Sequence, residues 1–232
     1  MGFERFDLLR FEREPALGII RGIKSEWLDG VFEAIIDSGL KHVEITLNTP
    51  GALKLIEQAT LKFAQFVCVG AGTVLSEKDA KGAQDAGAKF IVSPTLNEKT
   101  ANFCSEQELP YFPGALTPTE IERCWQAGAT MVKVFPGSRL GPSYFKEVKG
   151  PFDQIKLMAV GGITTNNVED YLLAGASALA IGGSVFSIPR MEAGDFYKIA
   201  DDVKLFLSAI NKYYKRKDCG VTLRKLLQDV GE

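Results

Sequence analysis

A chain of 232 residues, 46% of them hydrophobic and 24% charged, has the make-up of one globular domain, which excludes disordered, collagen-like and low-complexity classes. With 27 basic and 29 acidic residues the net charge is −2, and no long block of one sign would recruit nucleic acid or an anionic membrane. A small neutral or anionic molecule is the expected partner.

In chain order, segment 3–13 reads as an extra amphipathic helix that plugs one end of a barrel. Glu4, Arg5, Asp7 and Arg10 deny it the apolar stretch of a signal peptide, and nowhere do eighteen apolar residues run together, so a cytoplasmic protein is expected. Short apolar runs follow at 16–20, 42–47, 66–69, 90–93, 110–112, 131–135, 156–160 and 178–181, giving eight strand candidates. Helical patterns lie between them: Leu28, Val31, Phe32, Ile35 and Ile36 share one face, as do Val203, Phe206, Leu207 and Ile210. Gly39, Gly87, Gly128 and Gly175 each end a helix just before a strand, at intervals of 48, 41 and 47 residues, about two strand-plus-helix units apart. Eight such units predict a single parallel α/β domain, a (β/α)8 TIM barrel with an extra N-terminal helix, over residues 1–214. Residues 215–218 read as a solvated connector to a C-terminal tail, 215–232, whose short candidate helix carries Leu223, Leu226, Leu227 and Val230 on one face.

A barrel of this kind keeps its active site at the carboxyl ends of the strands, so charges that interrupt apolar strands are informative. Arg21 ends the first strand, Glu44 splits Val43 from Ile45, and Lys133 sits among Met131, Val132, Val134 and Phe135. Burial and nearby positive charge disfavour an ammonium, so Lys133 would carry a free amine at neutral pH, as a Schiff-base nucleophile requires. A structural Lys133–Glu44 ion pair would place the same two residues there. Glu44 is either a general base or that charge partner. The pairs Gly161-Gly162 and Gly182-Gly183-Ser184 end strands seven and eight, where barrels commonly bind phosphate through backbone N–H groups and a helix N-terminus. Gly70-Ala71-Gly72-Thr73 lacks the third glycine of a dinucleotide fingerprint, so its glycines read as a close approach of backbone to substrate. His42, the single histidine, excludes a multi-histidine metal site, and the scattered Cys68, Cys104, Cys124 and Cys219 have neither zinc nor disulfide-framework spacing. Pro94 and Pro136 end strands, and Phe135 reads as core or as a wall beside the amine.

The stretches Val43-Glu44-Ile45-Thr46-Leu47-Asn48-Thr49, Gly70-Ala71-Gly72-Thr73-Val74, Ser93-Pro94, Val132-Lys133-Val134-Phe135-Pro136-Gly137, Gly161-Gly162 and Gly182-Gly183-Ser184 resemble the 2-keto-3-deoxy-6-phosphogluconate (KDPG) and 4-hydroxy-2-oxoglutarate (KHG) aldolase family. The resemblance runs from about Pro15 to Tyr214. It implies a class I aldolase, usually a homotrimer, using neither metal nor cofactor. Such an enzyme cleaves a phosphorylated 2-keto acid to pyruvate and glyceraldehyde 3-phosphate. Lys133 would form the Schiff base and Glu44 would move protons. Thr73, with backbone near Gly72, would hold the pyruvyl carboxylate. Pro94, Phe135 and Val160 would line the substrate, and Gly161, Gly162, Gly183 and Ser184 would hold the phosphate.

Two departures bear on specificity. Asn48 stands where many KDPG aldolases have an arginine, and Arg21 takes the place used by members acting on the galactonate epimer, KDPGal, so Arg21 is the expected carboxylate contact. Val160 replaces a threonine common in gluconate-type members, which points to KDPGal or to relaxed choice at C4. A phosphosugar isomerase or epimerase on the same barrel, or a non-catalytic phosphate-ester-binding barrel, would also fit the fold.

Overall fold

The computed structural model describes the backbone of residues 5–229 and the side chains of residues 5–217. Its strands are β1 (Ala16–Ile20), β2 (His42–Thr46), β3 (Cys68–Gly72), β4 (Ile91–Val92), β5 (Tyr111–Phe112), β6 (Gly114–Ala115), β7 (Val132–Val134), β8 (Leu157–Val160) and β9 (Ala178–Ile181). All neighbours pair in parallel, in the order β5-β4-β3-β2-β1-β9-β8-β7-β6. The two ends of that order are consecutive in sequence and separated only by Pro113. Its carbonyl accepts from Lys133 N–H at 2.9 Å, and Thr130 N–H donates to Tyr111 O at 2.8 Å, so β5 and β6 are halves of one stave and the barrel is closed. The expected fifth strand is therefore present but interrupted, because proline has no N–H for a ladder.

The helices are α1 (Leu8–Arg13), α2 (Leu28–Ser38), α3 (Ala52–Phe63), α4 (Glu77–Asp85), α5 (Glu98–Glu106), α6 (Pro118–Gln126), α7 (Gly137–Lys149), α8 (Val168–Leu173), α9 (Ile188–Glu192) and α10 (Phe196–Asp229). Gly39 ends α2 at φ +86°, the left-handed conformation that glycine adopts without a Cβ penalty. Helix α10 continues without a break through 215–218, so the expected connector is helical; Val230 lies outside the described residues. Among the described residues no helix is long and apolar enough to cross a membrane.

Period-two alternation along the strands sorts the apolar residues into two cores. One face, with Val43, Ile45, Val69, Ala71, Val132, Val134 and Leu179, packs against the helices. The other, with Leu17, Cys68, Phe90, Val92, Phe112, Met131, Met158, Val160, Ala178 and Ala180, fills the barrel. Phe6 and Phe11 cap that inner core from the N-terminal end, with ring centroids 5.3 and 4.9 Å from His42, so the expected plug is there. Of the anticipated helix 3–13, residues 3–4 lie outside the described residues and α1 runs over Leu8–Arg13 from the Asp7 cap, with a Lys156–Glu12 ion pair tying it to the residue before β8. Burying Phe11 contributes about 2 kcal/mol.

Candidate active site

Lys133 and Glu44 lie on the inner face of the barrel. Lys133 falls two residues from both Met131 and Phe135, and Glu44 two residues beyond His42. Both are buried, at 7% and 1% exposure. Lys133 is paired in register with Gly114 on one side and Met158 on the other, and its Nζ lies 5.6 Å from the centre of the Phe135 ring. Phe135 itself is half exposed, a wall above the amine rather than core.

Burial pushes the Lys133 ammonium below its ordinary pKa, the Arg21 charge pushes the same way, and the Glu44 charge opposes them. Burial raises Glu44 above the usual carboxylate range against the pull of Lys133 and Arg21. Burial disfavours the charged form of each group, and the opposite charge of the other works against that shift. The two are coupled through space without being an ion pair: the ion pairs among the described residues, drawn at 4.0 Å, do not include them. Glu44 Oε2 is buried without a hydrogen-bond partner. Its carboxyl occupies the space beside Gly72, where an added Cβ would come within 2.1 Å of Oε1.

That contact corrects one reading of the sequence. Gly70 and Gly72 belong to β3, which begins at Cys68 and runs to Gly72, while Phe66 is exposed outside it. A Cβ on Gly70 would meet the Phe90 ring at 2.4 Å. These glycines make room for two neighbouring side chains of the protein itself. Thr73, at the end of β3, is half-buried and has φ +56°, a strained conformation for a β-branched residue.

A cleft of about 660 Å3 brings together Arg21, Phe135, Val160, Gly161, Gly162, Gly183 and Ser184, and Phe135 joins it to the Lys133 amine. The Arg21 side chain is exposed, with no ion pair or hydrogen bond among the described residues. Gly161 and Gly162 have φ +95° and +71°. Their loop is braced by Asn167, which accepts from Thr164 N–H at 2.8 Å and donates to Gly162 O at 2.9 Å, and by Ser138 N–H donating to Gly161 O at 2.9 Å. Among the described residues the N–H groups of Gly161, Gly162, Gly183 and Ser184 donate to no protein acceptor, and all four residues line the cleft. The helices that follow, α8 and α9, have six and five residues, which leaves the backbone donors rather than a long helix dipole to meet an anion. Pro94 lies apart, in a neighbouring cleft with Gly114 and Leu116 that shares only Phe135 with the first. Sequence reasoning missed Asn167 and Thr49; the latter is buried and hydrogen-bonds Gly22 N–H. Among the described residues no group of three His, Cys, Asp or Glu side chains is placed to hold a metal.

A parallel barrel with a buried amine and carboxyl on its inner face and a glycine-rimmed cleft that shares Phe135 with the amine has the layout of an enzyme site. The sequence profile of the KDPG and KHG aldolases matches residues 10–201, and the chain belongs to that family. It is 36% identical over 195 residues to a probable 2-dehydro-3-deoxy-6-phosphogalactonate aldolase of Rhizobium meliloti, covering 83% of this chain and 90% of that one. A solved structure described as native KDPGal superposes with a TM-score of 0.82 at 28% identity, covering 87% of this chain and 96% of that one. The KDPG aldolase of Legionella pneumophila, solved with pyruvate captured as a covalent carbinolamine, gives a TM-score of 0.78 at 26% identity over 84% of this chain and 94% of that one.

Proposed function

We propose that this chain is a class I aldolase that cleaves a 2-keto-3-deoxy-6-phospho sugar acid, KDPG or KDPGal, to pyruvate and glyceraldehyde 3-phosphate. The observation that carries the reading is a lysine buried on the inner face of β7, its ammonium disfavoured, at the same barrel end as a buried carboxyl held above its ordinary pKa. The carbinolamine captured in the Legionella relative is the chemistry such an amine would perform.

In this mechanism the Lys133 amine adds to the C2 carbonyl. The resulting carbinolamine loses its hydroxyl as water, protonated by Glu44, which leaves a carboxylate beside a cationic imine. That carboxylate takes the proton of the C4 hydroxyl. The C3–C4 bond breaks, its electron pair passes into the imine to form an enamine, and the C4 fragment leaves as glyceraldehyde 3-phosphate. Proton return to C3 and hydrolysis release pyruvate and restore the amine. The imine is the electron sink, so this route calls on neither metal nor organic cofactor.

Arg21 and Thr73 would hold the carboxylate, the former by a two-pronged guanidinium contact. The unengaged N–H groups of Gly161, Gly162, Gly183 and Ser184 suit the distal phosphate. Val160 offers no hydrogen bond at C4, and this favours acceptance of both C4 epimers. Incubation with pyruvate and borohydride, read by intact mass, is the test. A single reduced pyruvyl adduct on the wild type and none on Lys133→Met supports the reading; no adduct on either overturns it.

A further inference from the structure

Among the described residues the Arg21 guanidinium has no hydrogen bond or ion pair to fix its direction, so the backbone that carries it matters to its aim. One side-chain hydrogen bond holds that backbone. Gly22 N–H donates to Thr49 Oγ1 at 2.9 Å, and Thr49 Oγ1 shares a 3.2 Å hydrogen bond with Thr46 Oγ1. Thr46 and Thr49 are both buried, at 0% and 3% exposure, and Thr49 N–H closes the turn by donating to Thr46 O at 2.9 Å. The β1–β2 ladder ends with Ile20 opposite Ile45, one residue short of Arg21 and Thr46, so the hydroxyl bond takes over where strand pairing stops. On the other side of Gly22, a Cβ would meet Ile188 Cδ1 at 2.9 Å, and its φ of +70° is a glycine conformation.

Resting on the aldolase reading, we propose that Thr49 is a positioning residue: its buried hydroxyl, backed by Thr46, pins the Arg21–Gly22 peptide and so aims the Arg21 guanidinium at the carboxylate of the keto acid. Thr46 lies two residues beyond Glu44 on the same strand. The carboxylate grip and the proton carrier are thereby held in one frame by a single turn.

The experiment measures the pyruvate concentration that half-saturates borohydride trapping, in wild type, Thr49→Val, Thr49→Ser, Arg21→Gln and the Arg21→Gln/Thr49→Val double variant. Thr49→Val removes one buried hydrogen bond and is expected to raise that concentration about 10-fold. Adduct yield at saturating pyruvate should stay at the wild-type level, because Lys133 is untouched, and Thr49→Ser should restore wild-type half-saturation. In the Arg21→Gln background Thr49→Val should add nothing, since the group it aims is gone. Wild-type half-saturation in Thr49→Val, or an equal penalty in the Arg21→Gln background, overturns the proposal. Thermal unfolding checks that each variant folds, and Thr49→Ala is read in the same way should the valine variant fail to do so. A wild type that forms no adduct fails the aldolase reading itself; a wild type that traps pyruvate beside an unaltered Thr49→Val fails only this inference.

Discussion

Gly72→Ala separates the position of Glu44 from everything else in the site. A Cβ at Gly72 would stand 2.1 Å from Glu44 Oε1 and 2.5 Å from Cδ, whereas ordinary contact begins at 3.4 Å. The carboxyl must therefore retreat by about 1.3 Å, a displacement of the size that costs roughly 100-fold in rate when a catalytic group is involved. Stability should suffer far less. The obstructing atoms are the end of a jointed side chain, and Gly72 is not among the positive-φ residues, so the loss is about 1–2 kcal/mol, in the lower range for overpacking. The assay compares kcat for cleavage of the phosphorylated keto acid with the midpoint of thermal unfolding and the yield of the pyruvate adduct. The expected pattern is kcat down about 100-fold, a folded protein, and an adduct that still forms on Lys133. A folded Gly72→Ala within threefold of the wild-type kcat would refute the argument, because it would mean that the carboxyl's place beside β3 has no bearing on proton transfer.

Glu44→Gln keeps the shape but cannot exchange a proton, so kcat should fall about 10²- to 10⁴-fold in steady-state cleavage. Lys133→Met should reduce cleavage to the uncatalysed background while leaving the thermal midpoint equal or higher, since an apolar chain replaces a buried amine. Gly162→Ala, at φ +71° and with a Cβ 2.3 Å from that of Ser138, should raise KM for the phosphorylated substrate about 10-fold or more, consistent with displaced charge-assisted hydrogen bonds, with pyruvate trapping intact. Burial holds His42 at about 3, below its ordinary 6.5. As pH falls from 6.5 to 3 the unfolded chain takes up that proton first, so stability is lost through this window, by about 3 kcal/mol between pH 7 and pH 4. Urea unfolding of wild type beside His42→Leu should show that acid-side loss shrinking in the variant.

The barrel was legible because parallel strands sheathed in helices are apolar on both faces, and glycines such as Gly39 and Gly175 mark where helices stop. Lys133 and Glu44 stood out in the sequence for the same reason, as charges inside apolar strands, although a structural ion pair would have placed them there as well. What escaped was anything that depends on a neighbour. Pro113 splits a stave, yet only the flanking strands reveal that Tyr111 and Gly114 belong to one stave. Gly70 and Gly72 fell outside the apolar run because glycine has low strand propensity, and the Phe90 ring and Glu44 carboxyl that fill their missing side chains come from neighbouring staves. Thr49 lay inside a stretch that carries the family resemblance, yet nothing in the sequence pointed to its hydroxyl, which is engaged 27 residues back along the chain.

This dependence has a direction. Inside a barrel only eight staves wide, each inner side chain takes volume from the next, so a carboxyl can be buried in β2 only where β3 gives up a side chain. Glu44 and Gly72 are in that sense one feature written on two strands. The same constraint makes the site stiff. Glu44 cannot swing away from β3 without opening a void, nor can β3 acquire a side chain without moving Glu44, which is how a flexible glutamate is kept to one position inside the barrel.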